Sequence, residues 1–129
     1  MSLLNDLETT FKNACAIFNK DTDKTIGDLL SPNIIVYSVT DQDIYVGIQE
    51  AENFFAADYA DHPQFDPYTN FTPKYSVTAD NKTGVITGKA NWRDDNGKEV
   101  LKYSFVFTYD SAAPNNWRIL SLCSKTISG

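Results

Sequence analysis

Histidine, cysteine and long apolar runs are all scarce in this chain of 129 residues. The longest unbroken apolar run, Ala14 to Phe18, is far shorter than the roughly 20 residues that a membrane-spanning helix needs. The first residues carry neither the basic flank nor the apolar stretch of a secretory signal, so we expect a cytoplasmic protein. One histidine, His62, and two cysteines, Cys15 and Cys123, are too few for a zinc site, and we expect no metal and no cofactor.

Basic residues are also in the minority. Eleven Lys and Arg stand against 17 Asp and Glu, which gives a net charge of −6. Nucleic acids and anionic membranes bind clusters of Lys and Arg, so we expect neither as a partner. Residues 25–73 hold eight acids and no base, whereas residues 74–129 hold eight bases and five acids. This asymmetry predicts two solvated surfaces of opposite charge, and the alternative is a self-complementary dimer contact.

The composition is that of one globular domain over residues 1–129, since 42% of the residues are hydrophobic. The spacing of apolar residues predicts helices over 2–19, 22–30 and 48–60, the second ended by Pro32. Alternating and β-branched patterns predict strands over 34–39, 44–46, 70–79, 84–93, 98–109 and 117–127. Two prolines make residues 62–67 an ordered loop without regular structure. We predict an α+β fold, in which a curved, mostly antiparallel sheet forms a cone with three helices on its concave face.

Three local motifs within this order of elements point to a known fold. They are Ile26-Gly27-Asp28-Leu29-Leu30-Ser31-Pro32-Asn33, then Tyr45-Val46-Gly47-Ile48-Gln49-Glu50-Ala51, and the closing Asn116-Trp117-Arg118-Ile119-Leu120-Ser121. With this spacing, essentially the whole chain resembles the nuclear transport factor 2-like superfamily, which includes SnoaL-like polyketide cyclases and ketosteroid isomerases. The resemblance implies a homodimer through the outer face of the sheet, with Val100, Val106 and Leu120 or Leu122 as contributors.

The resemblance also allows a test of enzyme activity by position. Ketosteroid isomerases place a tyrosine in the first helix and an aspartate base before the third. The matching positions here are Ala14 and Ser38, which can neither donate to an oxyanion nor act as a base at neutral pH. A typical ketosteroid isomerase is therefore not expected. The remaining candidate catalytic residue is His62, which has several acids near it in sequence and could act as a general acid or base. The alternative for His62 is a solvated loop histidine.

Aromatic residues are abundant, with eight Phe, seven Tyr and two Trp. Around a cone they would suit a flat, mostly apolar ligand held by one or two hydrogen bonds, although each ring could also simply fill the core. We predict a pocket of a few hundred Å³ that opens near the third helix and residues 61–68. The predicted ligand-binding residues are Tyr37, Phe55, Tyr59, His62, Trp92, Tyr103 and Trp117.

Three functions follow from this sequence. The first is a SnoaL-like domain that binds a small, mostly apolar or aromatic ligand in the cone. The second is a cofactor-free isomerase, cyclase or dehydratase that uses general acid–base catalysis. The third is an assembly domain that dimerises without a ligand. A cavity with convergent polar groups beside a perturbed carboxylate or His62 favours the second, whereas a filled cone favours the third.

Overall fold

The computed structural model describes residues 2–19, 26–37, 44–58, 64–94 and 97–128. Over these residues the chain forms two α-helices, α1 (Leu3–Phe18) and α2 (Ile48–Asp58), and a short 3-10 helix (Ile26–Leu29). The strands are β1 (Leu30–Tyr37), β2 (Ile44–Val46), β3 (Gln64–Asp66), β4 (Lys74–Val77), β5 (Thr83–Asp94), β6 (Gly97–Tyr109) and β7 (Trp117–Ser128). In this described part, neither helix has the length and apolar character needed to cross a membrane.

The seven strands form one curved, unclosed sheet in the order β2-β1-β7-β6-β5-β3. Strand β4 also pairs with β5, beyond the stretch that β3 occupies. All pairs are antiparallel except β1 with β7, which run parallel. Two helices and a mostly antiparallel sheet confirm the predicted α+β cone fold.

Helix α1 supplies much of the core. Ser2 caps it, since its hydroxyl accepts a hydrogen bond from the amide of Asn5 at 3.4 Å. One face, with residues three or four apart, is buried against the sheet. The approach is close: a Cβ added to Gly84 on β5 would lie 2.8 Å from Leu7 Cδ1. Only glycine at this position lets the helix pack so near the strand. The buried face of α1 comprises Leu7, Thr10, Phe11, Ala14, Cys15 and Phe18.

The alternation in β6 decides which side chains face the helices. Leu101, Tyr103, Phe105 and Phe107 are buried, whereas the residues between them lie on the outer face and are partly or fully exposed. Hydrophobic core residues from the helices and the sheet form one continuous cluster. These odd-numbered side chains of β6 therefore line the concave face of the sheet.

The predicted second helix over 22–30 is wrong where the structure describes it. Residues 26–29 form only a single 3-10 turn, and β1 begins at Leu30. Pro32 does not end a helix, because it lies exposed within β1, where the pairing with β7 shifts between Leu30 and Ile35. A proline is tolerated there because the ladder of hydrogen bonds is already interrupted. Two α-helices and a 3-10 turn thus replace the three predicted helices.

The prediction that residues 62–67 lack regular structure is also wrong in its central part. Residues 64–66 form β3, which pairs with β5 so that Phe65 lies opposite Trp92. The Asn19 side chain at the end of α1 holds this strand by accepting from the Phe65 amide at 2.7 Å and donating to its carbonyl at 2.9 Å. The predicted strand over 70–79 begins later, at Lys74.

Candidate functional site

The candidate site is built around Tyr103 on β6. This side chain is 2% exposed and lies on the concave face of the sheet. Its ring stacks on Phe11 of α1, with 5.7 Å between centroids, and meets Phe65 edge-on at 5.4 Å. On β5, directly opposite, stands Gly88, where an added Cβ would lie 3.0 Å from the Tyr103 hydroxyl. The glycine thus leaves the space that the phenol occupies.

Among the described residues, the Tyr103 hydroxyl has no hydrogen-bond partner. Among the buried side-chain nitrogen and oxygen atoms of the described residues, it is the one left unpaired. A buried polar group without a partner is costly, so native structures hold few of them, and those they hold tend to have a role. Burial raises the pKa of Tyr103 well above its usual range, and the nearby Cys15 and Tyr75 raise it further. The phenol therefore stays protonated and can donate.

Two more tyrosines extend this group, and we call Tyr68, Tyr75 and Tyr103 the tyrosine cluster. Tyr68 follows β3, and its hydroxyl lies near that of Tyr75 on β4, which interacts with it. Burial first, and then the interaction with Tyr75, raise the pKa of Tyr68. Tyr68 is 40% exposed and Tyr75 half-buried. The cluster therefore runs from the surface at Tyr68 to the core at Tyr103.

Cys15 of α1 borders the cluster but is not a reactive thiol. Burial, followed by the negative charge of Asp66, raises its pKa to about 12. A nucleophilic cysteine needs the opposite shift, because the thiolate is the reactive form. At neutral pH Cys15 is thus a buried, protonated thiol.

Asp66, at the end of β3, is the carboxylate near the tyrosine cluster, and its side chain accepts hydrogen bonds from backbone amides. Its Oδ1 accepts from the amides of Tyr68 at 2.9 Å and Thr69 at 3.0 Å, which shapes the turn after β3. Burial raises the pKa of Asp66, but hydrogen bonds from the Thr69 side chain and from these two amides outweigh it, so the pKa is lowered. Asp66 is therefore ionised, and a carboxylate with a lowered pKa is a poor general base.

The cluster can bind but shows no complete catalytic pair. Tyr103 offers a neutral donor, and the surrounding rings offer apolar contact. Within the described ranges, no group of three or more His, Cys, Asp or Glu could hold a metal ion. The arrangement suits a ligand with an apolar body and one acceptor atom.

Three predicted ligand-binding residues are buried, and their described contacts are with the protein core. Phe55 of α2 stacks on Phe18 at 5.1 Å. Trp92 is 4% exposed on β5, opposite Phe65. The indole of Trp117 donates to the Leu3 carbonyl at 3.0 Å and thereby ties β7 to the start of α1. Of the predicted ligand-binding residues that the structure describes, Tyr103 alone belongs to the tyrosine cluster.

Tyr37 does not line the cone. Its neighbour Val36 is fully buried, so Tyr37 points to the opposite face of β1, where it is 45% exposed. The remaining predicted residues, Tyr59 and His62, lie outside the described part of the chain, as does Ser38. Ala14 is fully buried on α1, where it contributes only to packing.

The hollow that the structure describes lies away from the tyrosine cluster, between α1, the 3-10 helix and the turn before β7, and has a volume of about 430 Å³. Arg118 at its wall is held by two contacts: its Nε donates to Asp110 at 2.7 Å and its Nη1 to the Asp28 carbonyl at 3.0 Å. The guanidinium is therefore already committed within the protein. The lining residues are Asn13, Ile17, Gly27, Asp28, Leu29, Ala112, Pro114 and Arg118.

Sequence reasoning found Tyr103 but missed Tyr68, Tyr75 and Cys15. Alternation along β4 places Tyr75 opposite buried Ile86, and this pattern could have been read from the sequence. No local pattern marks Tyr68, which follows a three-residue strand, or Cys15, which reads as one core residue among several on α1.

No protein-family model matches the chain, and no curated protein matches it. Solved structures do match. A structure from Xanthomonas campestris, provisionally assigned as a calcium/calmodulin dependent protein kinase II association domain, has a TM-score of 0.73 at 16% identity, over 95% of this chain and 86% of that chain.

Two further matches carry names of enzyme types. A ketosteroid isomerase-like protein from Erwinia carotovora atroseptica has a TM-score of 0.70 at 12% identity, over 98% of this chain and 97% of that chain. The epoxide hydrolase/cyclase-like enzyme SalBIII, which takes part in pyran ring formation in the polyether salinomycin, has a TM-score of 0.62 at 15% identity, over 97% of this chain and 90% of that chain. At these identities the likeness shows the fold, which is the nuclear transport factor 2-like fold. The fold does not select among these functions.

Proposed function

We propose that this protein binds a small, mostly apolar or aromatic molecule inside the cone, and that the Tyr103 hydroxyl donates a hydrogen bond to an acceptor atom of that ligand. The observation that carries the proposal is the buried hydroxyl, which has no partner among the described residues. An unsatisfied group of this kind costs about 1–3 kcal/mol, and a ligand oxygen would remove that cost. Phe11 and Phe65, which contact the same ring, supply apolar surface beside it.

The protonation state of Tyr103 defines the acceptor. Because burial raises its pKa, the phenol remains a neutral donor throughout the physiological range. A neutral donor in an apolar setting favours a carbonyl or ether oxygen. The negative charge of the chain, −6, disfavours an anionic ligand.

The alternative is a cofactor-free isomerase, cyclase or dehydratase, and the described residues support it less well. Such chemistry needs a base beside the donor. Cys15 is protonated at neutral pH, and Asp66 has a lowered pKa and holds a backbone turn. If the protein is an enzyme, its base lies among residues such as His62, outside the described part.

We also propose that the protein is a homodimer through the outer face of the sheet. Tyr37 and Ile44 lie directly opposite each other on β1 and β2, with 45% and 57% exposed, and Val46 beside them is 55% exposed. Such a cluster of exposed apolar side chains favours an interface. Leu122 does not belong to it, because it is 5% exposed within the core. Both cysteines are free, which suits a reducing compartment such as the cytoplasm.

The binding proposal is tested with pairs of aromatic compounds that differ in one acceptor, such as 2-acetylnaphthalene against 2-ethylnaphthalene. Binding is measured by chemical-shift titration of the wild type and of Tyr103→Phe. We expect the wild type to prefer the ketone by about five- to tenfold, which corresponds to one hydrogen bond. Tyr103→Phe should bind both compounds equally.

The matched control is Tyr37→Phe, which removes a phenol hydroxyl from the exposed outer face. It should keep the full preference for the ketone. An unchanged preference in Tyr103→Phe, or no binding of any such pair, would contradict the proposal.

A further inference from the structure

The hollow between α1, the 3-10 helix and the turn before β7 takes no part in the proposed ligand binding at Tyr103. Its volume, about 430 Å³, falls within the range of small-molecule sites, roughly 300–1,000 Å³. Two of its lining residues, Asn13 and Ile17, belong to α1, which packs on the concave face of the sheet. None of the exposed apolar residues that we assign to the dimer interface lines it. Dimerisation through the outer face of the sheet therefore leaves the hollow open.

The wall of the hollow at β7 is held in place by Arg118, which joins three segments of the chain. Its Nε donates to the Asp110 carboxylate at 2.7 Å, and its Nη1 donates to the Asp28 carbonyl at 3.0 Å. The Asp110 carboxylate also accepts from the Ala112 amide at 2.9 Å, which fixes the turn whose residues Ala112 and Pro114 line the hollow. A site built in this way exists before a ligand arrives, so binding requires little ordering of the protein.

Two polar side chains on this wall are free to bind a ligand. Among the residues that the structure describes, neither the Asp28 carboxylate nor the Asn13 side-chain amide has a hydrogen-bond or ion-pair partner. Asp28 stands on the 3-10 helix and Asn13 on α1, so the two groups border the hollow from separate elements. Together they offer a negative charge and a neutral acceptor.

The charges around the hollow favour a cation. Arg118 is the one base among its described lining residues, and its charge is already paired with Asp110. The Asp28 carboxylate has no such counter-ion, and the carboxylate of Glu52 on α2 lies so close to Gly27 that an added Cβ would collide with it. An anion would approach several carboxylates and a guanidinium that is already paired. A cation would meet a carboxylate that has no partner among the described residues.

The rest of the lining selects an organic cation over a metal ion. Ile17, Leu29 and Pro114 give the hollow an apolar wall. Ca²⁺ takes about six to eight oxygen ligands, which one carboxylate and one amide do not approach. The described residues also include no group of three or more His, Cys, Asp or Glu that could hold a metal ion. A protonated amine with an apolar body matches both the polar and the apolar parts of the wall.

We propose that the hollow binds a small organic ammonium ion, a primary amine whose ammonium group pairs with the Asp28 carboxylate and donates to the Asn13 side-chain oxygen. The apolar body of the amine packs on Ile17 and Leu29. The site shares no residue with the tyrosine cluster, so either binding proposal can fail without the other.

The test compares three compounds that share one phenyl body and differ in charge: 2-phenylethylamine, 2-phenylethanol and phenylacetate. Binding to the full chain is measured by chemical-shift titration at 50 and 200 mM salt. We expect the wild type to prefer the amine over the alcohol by about three- to fivefold at low salt, as for one exposed ion pair, and by less at high salt. Asp28→Asn should bind the amine and the alcohol equally.

The matched control for charge is Glu99→Gln, at the opposite end of β6 from the turn that lines the hollow. Glutamine there keeps an oxygen acceptor for the Thr126 hydroxyl, and the variant should retain the full preference for the amine. Ala112→Trp, at an exposed position of the turn, fills the hollow and should weaken the amine and the alcohol alike by at least fivefold. Circular dichroism confirms that each variant is folded.

The location is tested with Tyr103→Phe, which should bind the amine within twofold of the wild type. Loss of amine binding in this variant would place the amine in the cone and overturn the proposal. So would an unchanged preference in Asp28→Asn, an equal loss in Glu99→Gln, binding unaffected by Ala112→Trp, or no binding of the amine. Tighter binding of phenylacetate would overturn it in favour of an anion site at Arg118.

Discussion

Removing the Tyr103 hydroxyl should make the protein more stable. The substitution Tyr103→Phe keeps the ring that packs on Phe11 and Phe65 and deletes one oxygen atom. In most proteins such a deletion is destabilising, because the lost hydroxyl had a partner. Here the hydroxyl is buried and unpaired among the described residues, so its burial opposes folding.

The magnitude follows from the cost of burying an unsatisfied group, about 1–3 kcal/mol. Local relaxation recovers part of that cost, so we expect Tyr103→Phe to raise the free energy of unfolding by about 1 kcal/mol. For a chain of this size that corresponds to a rise in Tm of roughly 4 °C. Urea unfolding, followed by tyrosine and tryptophan fluorescence and by circular dichroism, measures the change.

The control is Tyr75→Phe, which removes a half-buried hydroxyl that interacts with Tyr68. It should lower the free energy of unfolding by about 1 kcal/mol, opposite in sign to Tyr103→Phe. If Tyr103→Phe is instead destabilising by 1 kcal/mol or more, its hydroxyl is satisfied in solution, and the reasoning from the unpaired atom fails.

Three further substitutions probe the same core. Gly88→Ala should cost about 1–2 kcal/mol in urea unfolding, because its Cβ would lie 3.0 Å from the Tyr103 hydroxyl, and Tyr103→Phe should recover part of that loss in the double variant. Trp117→Phe should cost about 2 kcal/mol, since it loses indole volume and a hydrogen bond to the start of α1. The pKa of Cys15 is raised to about 12 in the folded state, so this thiol contributes to the free energy of unfolding at pH values below its ordinary pKa. That contribution is lost as the pH rises from about 9 towards 12, at about 1.4 kcal/mol per pH unit. Cys15→Ala should flatten that decline in unfolding free energy, and Cys123→Ala should not.

The sheet was largely predictable because its strands alternate in polarity. In β6 the odd positions Tyr103, Phe105 and Phe107 are apolar and the even ones polar or small, so the buried face follows from the sequence alone. In β1 this signal is missing, because residues 34–36 and Tyr37 form one continuous apolar run. That run does not reveal which side chains face the core, and Tyr37 was assigned to the wrong face.

The errors at Pro32 and at β3 have a common cause. Each segment adopts strand geometry because of a contact with a distant part of the chain: β1 pairs with β7, and β3 is held by the Asn19 side chain. Local propensity carries no information about such pairings. The same limit explains why the tyrosine cluster was only partly found, since Tyr68, Tyr75 and Tyr103 come from three separate segments.

The energetics of Tyr103 help to separate ligand binding from assembly as the purpose of this fold. A domain that only self-associates through its outer sheet face gains nothing from an unpaired phenol in its core, because phenylalanine would pack in the same space at lower cost. A binding site gains specificity from the same hydroxyl, since it rewards a ligand that carries an acceptor. A variant Tyr103→Phe that is more stable, has an unchanged oligomeric state and has lost its preference for ketones would therefore assign the cone to ligand binding. Increased stability without any change in ligand binding would instead favour self-association through the outer face of the sheet as the function.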